Sequence, residues 1–134
     1  MNKIKCHIVA IETEASLSLV TMQSANAPLT AVIIETPETA SYLKPGVQVY
    51  AAFKETEVNL LPQDCRHGSM SNQWTGTIVQ IRWGKLLTEV GVQTAIGTIR
   101  SVLTTENAKR MSLEENHNLE VYVNAQAVAV WEDA

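Results

Sequence analysis

The sequence predicts an all-β protein made of two tandem copies of one five-stranded unit, each copy carrying one short helix. Three observations predict it. Sliding the chain against itself by about seventy residues aligns both halves without a gap. The shift pairs Asn2 with Asn72, Ile8-Val9 with Ile78-Val79, Ile11 with Ile81, Leu17 with Leu87, Val20 with Val90, Val32 with Val102, Leu43 with Leu113 and Val58 with Val128. Most of these pairs are apolar and fall at corresponding points of corresponding segments, as duplication of a small domain would leave them; the period is too long for a solenoid. Hydrophobic residues make up 46% of the chain and aromatic ones only 5%, so β-branched aliphatics carry the apolar load, which suits strands. Short apolar runs are also separated by turn-forming residues throughout.

In the first copy, Ile4 to Ile11 reads as a strand with Ile4, Cys6 and Ile8 on one face and mostly polar residues on the other. A turn through Glu12 to Ala15 leads to a second strand near Leu17 to Met22. Ser24-Ala25-Asn26-Ala27-Pro28 forms the next turn, and Leu29 to Ile34 a third, more fully apolar strand. Thr36-Pro37-Glu38 has the signature of a helix start: Thr as cap, Pro at the first helical position, an acid in the first turn. Lys44-Pro45-Gly46 closes that helix within two turns, and its Pro-Gly suits the centre of a type II turn. Val47 to Lys54 and Val58 to Leu61 supply the last two strands.

The second copy repeats the order: Trp74 to Arg82, Leu86 to Val92, Ile96 to Leu103, a helix around Glu106 to Met111, then Leu119 to Val123 and Val128 to Trp131. The expected domains are residues 1–62 and 72–134, joined by a polar linker, 63–71. Five short strands and one short helix, twice over, suggest a pair of small closed or partly closed barrels of the oligonucleotide/oligosaccharide-binding (OB) kind. Each half alone is near the size at which a single core is marginal, so pairing or oligomerisation is expected.

The net charge of -4 and the scatter of the 10 basic residues argue against a nucleic-acid surface, which needs clustered Lys and Arg. The first ten residues run directly into an alternating strand, without the apolar run of a signal peptide or membrane span. Cys6 and Cys65 occupy non-equivalent places in the two copies, so two free thiols in a cytoplasmic protein are expected.

Gly68-Ser69-Met70-Ser71-Asn72-Gln73-Trp74-Thr75-Gly76-Thr77-Ile78 resembles the S-A-R-N-Q-[LW]-x-G-x-[IV] opening of Mop (TOBE-like) domains, the molybdate-binding modules of molbindins. Similar domains form the effector-binding half of the molybdate-responsive regulator. Leu29 to Ile34, Leu43 to Gly46, and Tyr50 to Val58, with Lys54-Glu55-Thr56-Glu57-Val58 at its end, look like the rest of the family's body. Together the matches cover nearly the whole chain as a tandem, or di-Mop, arrangement. The resemblance implies OB-like barrels that exchange strands, assembly of tandem modules as trimers, and small oxyanions, molybdate or tungstate, held between modules.

In the family the ligands come from the Ser and Arg of S-A-R-N, a Ser/Thr pair at the start of the short helix, and the Lys of the penultimate strand. Convergent N–H and O–H donors plus a cation are what a tetrahedral dianion requires. Here Ser69 and Asn72 match, Ser71 stands in place of the Arg, and the first copy begins at Met1-Asn2. The helix-start pair is Thr104 and Asn107 in the second copy but Ile34 and Pro37 in the first; the lysine is Lys54 in the first and Asn124 in the second. The resemblance therefore implies one mixed site, Lys54 with Ser69, Ser71, Asn72, Thr104 and Asn107, in a non-enzymatic homo-oligomeric oxyanion binder. The alternative is an interaction or regulatory module that keeps the barrel without its ligand.

Other constellations have plainer readings. Cys6-His7 and Cys65-Arg66-His67 contain metal-ligating types, but neighbours on a strand point to opposite faces. Glu35, Glu38, Glu55 and Glu57 lack a nucleophile or a paired-carboxylate spacing, and read as a solvated rim.

Overall fold

The computed structural model describes residues 1–25, 27–65 and 71–133. The first copy contributes β1 (Asn2–Glu14), β2 (Leu17–Ser24), β3 (Ala27–Ile33), β4 (Gln48–Phe53) and β5 (Asn59–Pro62). The second contributes β6 (Asn72–Arg82), β7 (Leu87–Thr94), β8 (Gly97–Thr104), the helix α1 (Thr105–Arg110), β9 (Asn118–Val123) and β10 (Ala129–Glu132). A single 3₁₀ turn, Glu55–Glu57 or Ala125–Ala127, precedes the last strand of each copy.

These strands form two curled five-stranded antiparallel sheets, ordered β10-β4-β1-β2-β3 and β5-β9-β6-β7-β8. The fifth strand of each copy thus belongs to the other copy's sheet, and the exchange takes place within one chain. Val130 pairs with Ala51 and Trp131 with Tyr50 on β4, while Leu60 pairs with Val121 on β9. Lys3 caps the first of these joins, its Nζ lying 4.4 Å from the Tyr50 ring centroid and 5.5 Å from that of Trp131.

Alternation sets the inward face of each strand. Along β1, Asn2, Ile4, Cys6 and Ile8 are buried while Lys3, Lys5 and His7 are exposed, and β7 likewise buries Thr88, Val90, Val92 and Thr94. The pattern breaks at the same place in both copies: the β1–β2 register slips at Val9 and the β6–β7 register at Val79. Such a bulge bends and twists its strand, letting β1 pair with β4 over its first half and β2 over its second. Opposite each bulge a tight turn closes the sheet's end. Gly46 N–H donates to Ile8 O at 2.7 Å, and Asn116 N–H to Ile78 O at 2.7 Å. Gly46 and Asn116 have φ of 90° and 71°, a region open to Gly and tolerated by Asn. The Lys44 to Val47 turn closes with Val47 N–H donating to Lys44 O at 3.2 Å, as expected from its Pro-Gly.

One continuous apolar cluster runs through both copies, from Ile4, Met22 and Phe53 to Trp74, Ile99 and Val130. Phe53 and Trp74 stack across the join with centroids 6.3 Å apart. The shared core resolves the size problem of each half, since neither sheet encloses its interior alone. Two polar clasps reinforce it. Asn2 on β1 receives Arg100 N–H and donates to Arg100 O on β8, both at 2.8 Å. Asn72 on β6 receives Thr30 N–H at 2.7 Å and donates to Thr30 O on β3 at 2.9 Å.

Two expectations need correction. The helix at Thr36-Pro37-Glu38 does not form: Thr39 and Ala40 N–H both donate to Thr36 O, at 3.0 and 2.8 Å, and the chain turns away. The second copy has its helix because Thr104 Oγ1 accepts Asn107 N–H at 3.2 Å. The matching first-copy positions are Ile34, without a hydroxyl, and Pro37, without an N–H, so that bond has no counterpart; Thr36 Oγ1 instead accepts Glu38 N–H at 3.3 Å and Thr39 Oγ1 accepts Thr36 N–H at 2.9 Å, which closes a turn only. The turn expected over Glu12 to Ala15 shrinks to Ala15 and Ser16, because β1 stays paired through Glu14, which faces Leu17.

Candidate functional site

Strand exchange creates a cleft at the join. It has a volume of about 520 Å³ and is walled on one side by Thr56, Val58, Asn59, Leu60 and Leu61 from the end of the first copy. The other wall is Ser101 to Thr104 on β8 and Asn107, Arg110 and Met111 on α1. Ser101 Oγ donates to Val58 O at 2.9 Å and ties the two walls together at the floor. Among the described residues no carboxylate lines the cleft, and Arg110 is its one cationic lining residue.

The polar groups on the α1 wall are arranged as donors. Thr104 Oγ1 is occupied as an acceptor by Asn107 N–H, which leaves its hydroxyl hydrogen to point outward. Arg110 Nη1 donates to Asn107 Oδ1 at 2.9 Å, which turns the Asn107 amide nitrogen, a donor, away from the guanidinium. Arg110 Nη2 meets Glu106 Oε1 at 3.0 Å, in a pair whose side chains are 68% and 81% exposed. Such an exposed pair contributes between about 0 and 1 kcal/mol and is readily exchanged.

Of the residues singled out from the sequence, the cleft brings together Thr104 and Asn107. Lys54 is exposed, immediately before the 3₁₀ turn that supplies Thr56, and its side chain has no partner among the described residues. Ser71 is exposed just ahead of β6. Asn72 is buried, and its amide is committed to the Thr30 backbone on both sides. Ser69 lies outside the described residues. Sequence reasoning missed Arg110. Its signal was the helical spacing, three residues after Asn107, which puts the two side chains on one face.

The pseudo-equivalent region in the other half is different in kind. There the 3₁₀ turn Ala125–Ala127 packs on β3, as Glu55–Glu57 packs on β8. Ile34 and Pro37 replace Thr104 and Asn107; Ile34 is 78% exposed. Tyr42, whose hydroxyl donates to Glu35 Oε2 at 3.2 Å, stands nearby against Val130 O. Burial and the Glu35 charge push the Tyr42 hydroxyl's pKa upward. A further depression of about 590 Å³ is lined by Glu57, Asn124, Gln126 and Ala127. It presents a carboxylate and no cation, which suits no anion.

Cys6 is buried with its thiol 3.6 Å from Met22 Sδ, and desolvation pushes its pKa up to about 11. His7, on the opposite face, is exposed. Among the described residues no three His, Cys, Asp or Glu side chains are grouped to hold a metal ion. Glu120 is buried on β9, where it accepts Gln73 Nε2–H at 2.8 Å, Thr75 Oγ1–H at 3.0 Å and Asp64 N–H at 3.3 Å, anchoring the approach to the linker. No helix among the described residues is long and apolar enough to cross a membrane.

Two OB-like units with exchanged last strands and a donor-lined cleft between them define a tandem binding fold. The chain belongs to the TOBE-domain family, whose model matches residues 1–60 and again residues 68–130. The tandem arrangement implied by the motifs is the observed one. A similar solved structure is that of the cytoplasmic molybdate-binding protein ModG, in a crystal form with molybdate bound. It is 24% identical, with a TM-score of 0.90 over 98% of this chain and 95% of that one. At that identity the likeness establishes the fold. No curated protein sequence matches.

Proposed function

We propose that this protein is a non-enzymatic, cytoplasmic binder of a small tetrahedral oxyanion, molybdate or tungstate, that serves its storage, homeostasis or sensing. The observation that carries the reading is the coherence of the surviving donors. Thr56 follows the retained Lys54, and its turn packs against β8, which leads into Thr104 and Asn107. The losses Ile34, Pro37 and Asn124 fall on the pseudo-equivalent side, while the motif arginine is absent from both copies. One cleft per chain therefore keeps more of the donor set than the other. Family membership and the likeness to molybdate-binding ModG support the ligand class.

Assembly into a homo-oligomer, a trimer by family resemblance, belongs to the same proposal. Exposed apolar residues support it: Leu17, Leu19 and Ile34 on the first copy, and Trp83, Leu86 and Leu87 on the second. Exposed Lys54 is then available to an anion at a boundary between copies. Residues 1–62 and 72–134 act as the two modules, with 63–71 as their linker.

Calorimetric titration with molybdate, with sulfate and phosphate in parallel, tests the reading. The expected result is one molybdate per chain, weakened in Lys54→Ala and in Thr104→Ala. No heat at high micromolar molybdate defeats the binding claim. A monomer by mass measurement in solution defeats the shared-boundary part.

A further inference from the structure

The tandem motif lacks its arginine, since Ser71 stands in that position, which leaves the retained Lys54 as its one motif cation for a dianion. We infer that Arg110 supplies a second cation, from the wall of the cleft, and that Glu106 competes with the anion for the same guanidinium. The inference rests on the oxyanion reading above and assigns the residue that sets affinity in it.

Three observations converge on Arg110. Among the described residues it is the one cation lining the cleft, and no carboxylate lines it with Arg110. Its Nη1 holds Asn107 Oδ1 at 2.9 Å, which turns the Asn107 amide hydrogens outward as donors beside the Thr104 hydroxyl. Its remaining partner, Glu106 Oε1 at 3.0 Å, belongs to a pair that is mostly exposed on both sides. A guanidinium offers five N–H donors in a planar fork, so Arg110 can keep Asn107 while the fork's other edge passes from a carboxylate to an oxyanion. An oxyanion entering the cleft is in this sense a substitute for Glu106, with two charges in place of one. The dipole of α1, a helix of six residues, is too short to contribute usefully. Arg110 reaches the cleft as a side chain from the last turn of that helix.

The competition gives the inference a signature that a merely structural arginine would not have. Removing the cation weakens binding, and removing its internal rival strengthens it. Arg110→Ala loses charge-assisted contacts, for an expected fall in molybdate affinity of about ten-fold to a hundred-fold. Arg110→Lys keeps the charge without the fork and falls between wild type and Arg110→Ala. Glu106→Gln frees the guanidinium and raises affinity about two- to five-fold. Both positions are exposed, so the three variants are expected to fold, which thermal melts in the absence of ligand check.

The experiment is calorimetric titration of sodium molybdate into the full chain and these variants at one fixed ionic strength. The expected pattern is a loss in Arg110→Ala, a partial loss in Arg110→Lys and a gain in Glu106→Gln. If wild type binds and Arg110→Ala binds equally well, Arg110 is not the cation and the inference falls while the oxyanion reading stands. If Arg110→Ala weakens binding but Glu106→Gln leaves it unchanged, Arg110 only positions Asn107 and the competition is overturned. If wild type itself does not bind, the oxyanion reading fails, and this inference with it.

Discussion

Replacing Asn72 by Ala separates two roles that one residue could hold: ligand of the anion, or clasp between the sheets. The side chain is 2% exposed and makes two hydrogen bonds to the Thr30 backbone, accepting at 2.7 Å and donating at 2.9 Å. Each such bond contributes about 1 kcal/mol net, and leaving its half-buried partner unmatched adds to the cost. The truncation is thus expected to cost about 2–3 kcal/mol. For a chain of this size 1 kcal/mol moves Tm by roughly 3–5 °C, so the melting point should fall by about 6–15 °C. The assay is a thermal melt by circular dichroism, paired with molybdate titration well below the melting point. A clasp predicts a large fall in Tm with affinity retained. A fall in Tm below about 2 °C, or a loss of affinity without loss of stability, refutes the reasoning and returns Asn72 to the ligand set. Asn2→Ala, which breaks the matching clasp on Arg100, should reproduce the Tm effect.

Two further outcomes follow from the packing. A Cβ at Gly76 would collide with the Val92 side chain and lie 2.8 Å from Gln93 O, a backbone atom that cannot swing aside; Gly76→Ala should therefore cost about 2 kcal/mol or more, read as a lowered midpoint in urea. Cys6, buried and with its pKa raised to about 11, should resist a thiol reagent at pH 8 in the native state while half-buried Cys65 reacts; equal reactivity of both would contradict the packing. The sign of the linkage is fixed: the unfolded thiol ionises near its ordinary 9.0, so this contribution to stability is complete below that pH and is lost as pH rises towards 11.

Much of the fold was legible because duplication writes each constraint twice. The bulges at Val9 and Val79, the left-handed turns at Gly46 and Asn116, and the clasps at Asn2 and Asn72 all sit one repeat length apart. What escaped has a physical reason in each case. The resemblance implied strand exchange but not that it falls within one chain, because β5 and β10 carry interchangeable short apolar patterns and either sheet could accept either strand. The first-copy helix looked capped because Thr36-Pro37-Glu38 has the right residues, but the capping position of the repeat is Ile34, two residues earlier. Asn72 read as a ligand because a polar residue in a binding motif looks like a donor; only its burial and the nearness of Thr30 reveal a clasp. Arg110 was overlooked because the missing arginine was sought at its motif position, near Ser71, while the cleft draws on α1.

Exchange of the last strands also explains how two copies of one fold can present different side chains at their clefts without losing their shape. Each cleft is composite: the donor-rich one takes one wall from β8 and α1 of the second copy and the other from the turn and strand that end the first. A change at Ile34 or Pro37 in copy one and a change at Asn124 in copy two therefore damage the same side, although they lie in different repeats. The core made no distinction between the halves, since Phe53, Trp74 and their neighbours form a single cluster on which both sheets depend. A fused and strand-exchanged pair can thus hold its architecture symmetric while its chemistry becomes one-sided, and the division of conserved shape from lost donors follows the composite walls, not the boundary between repeats.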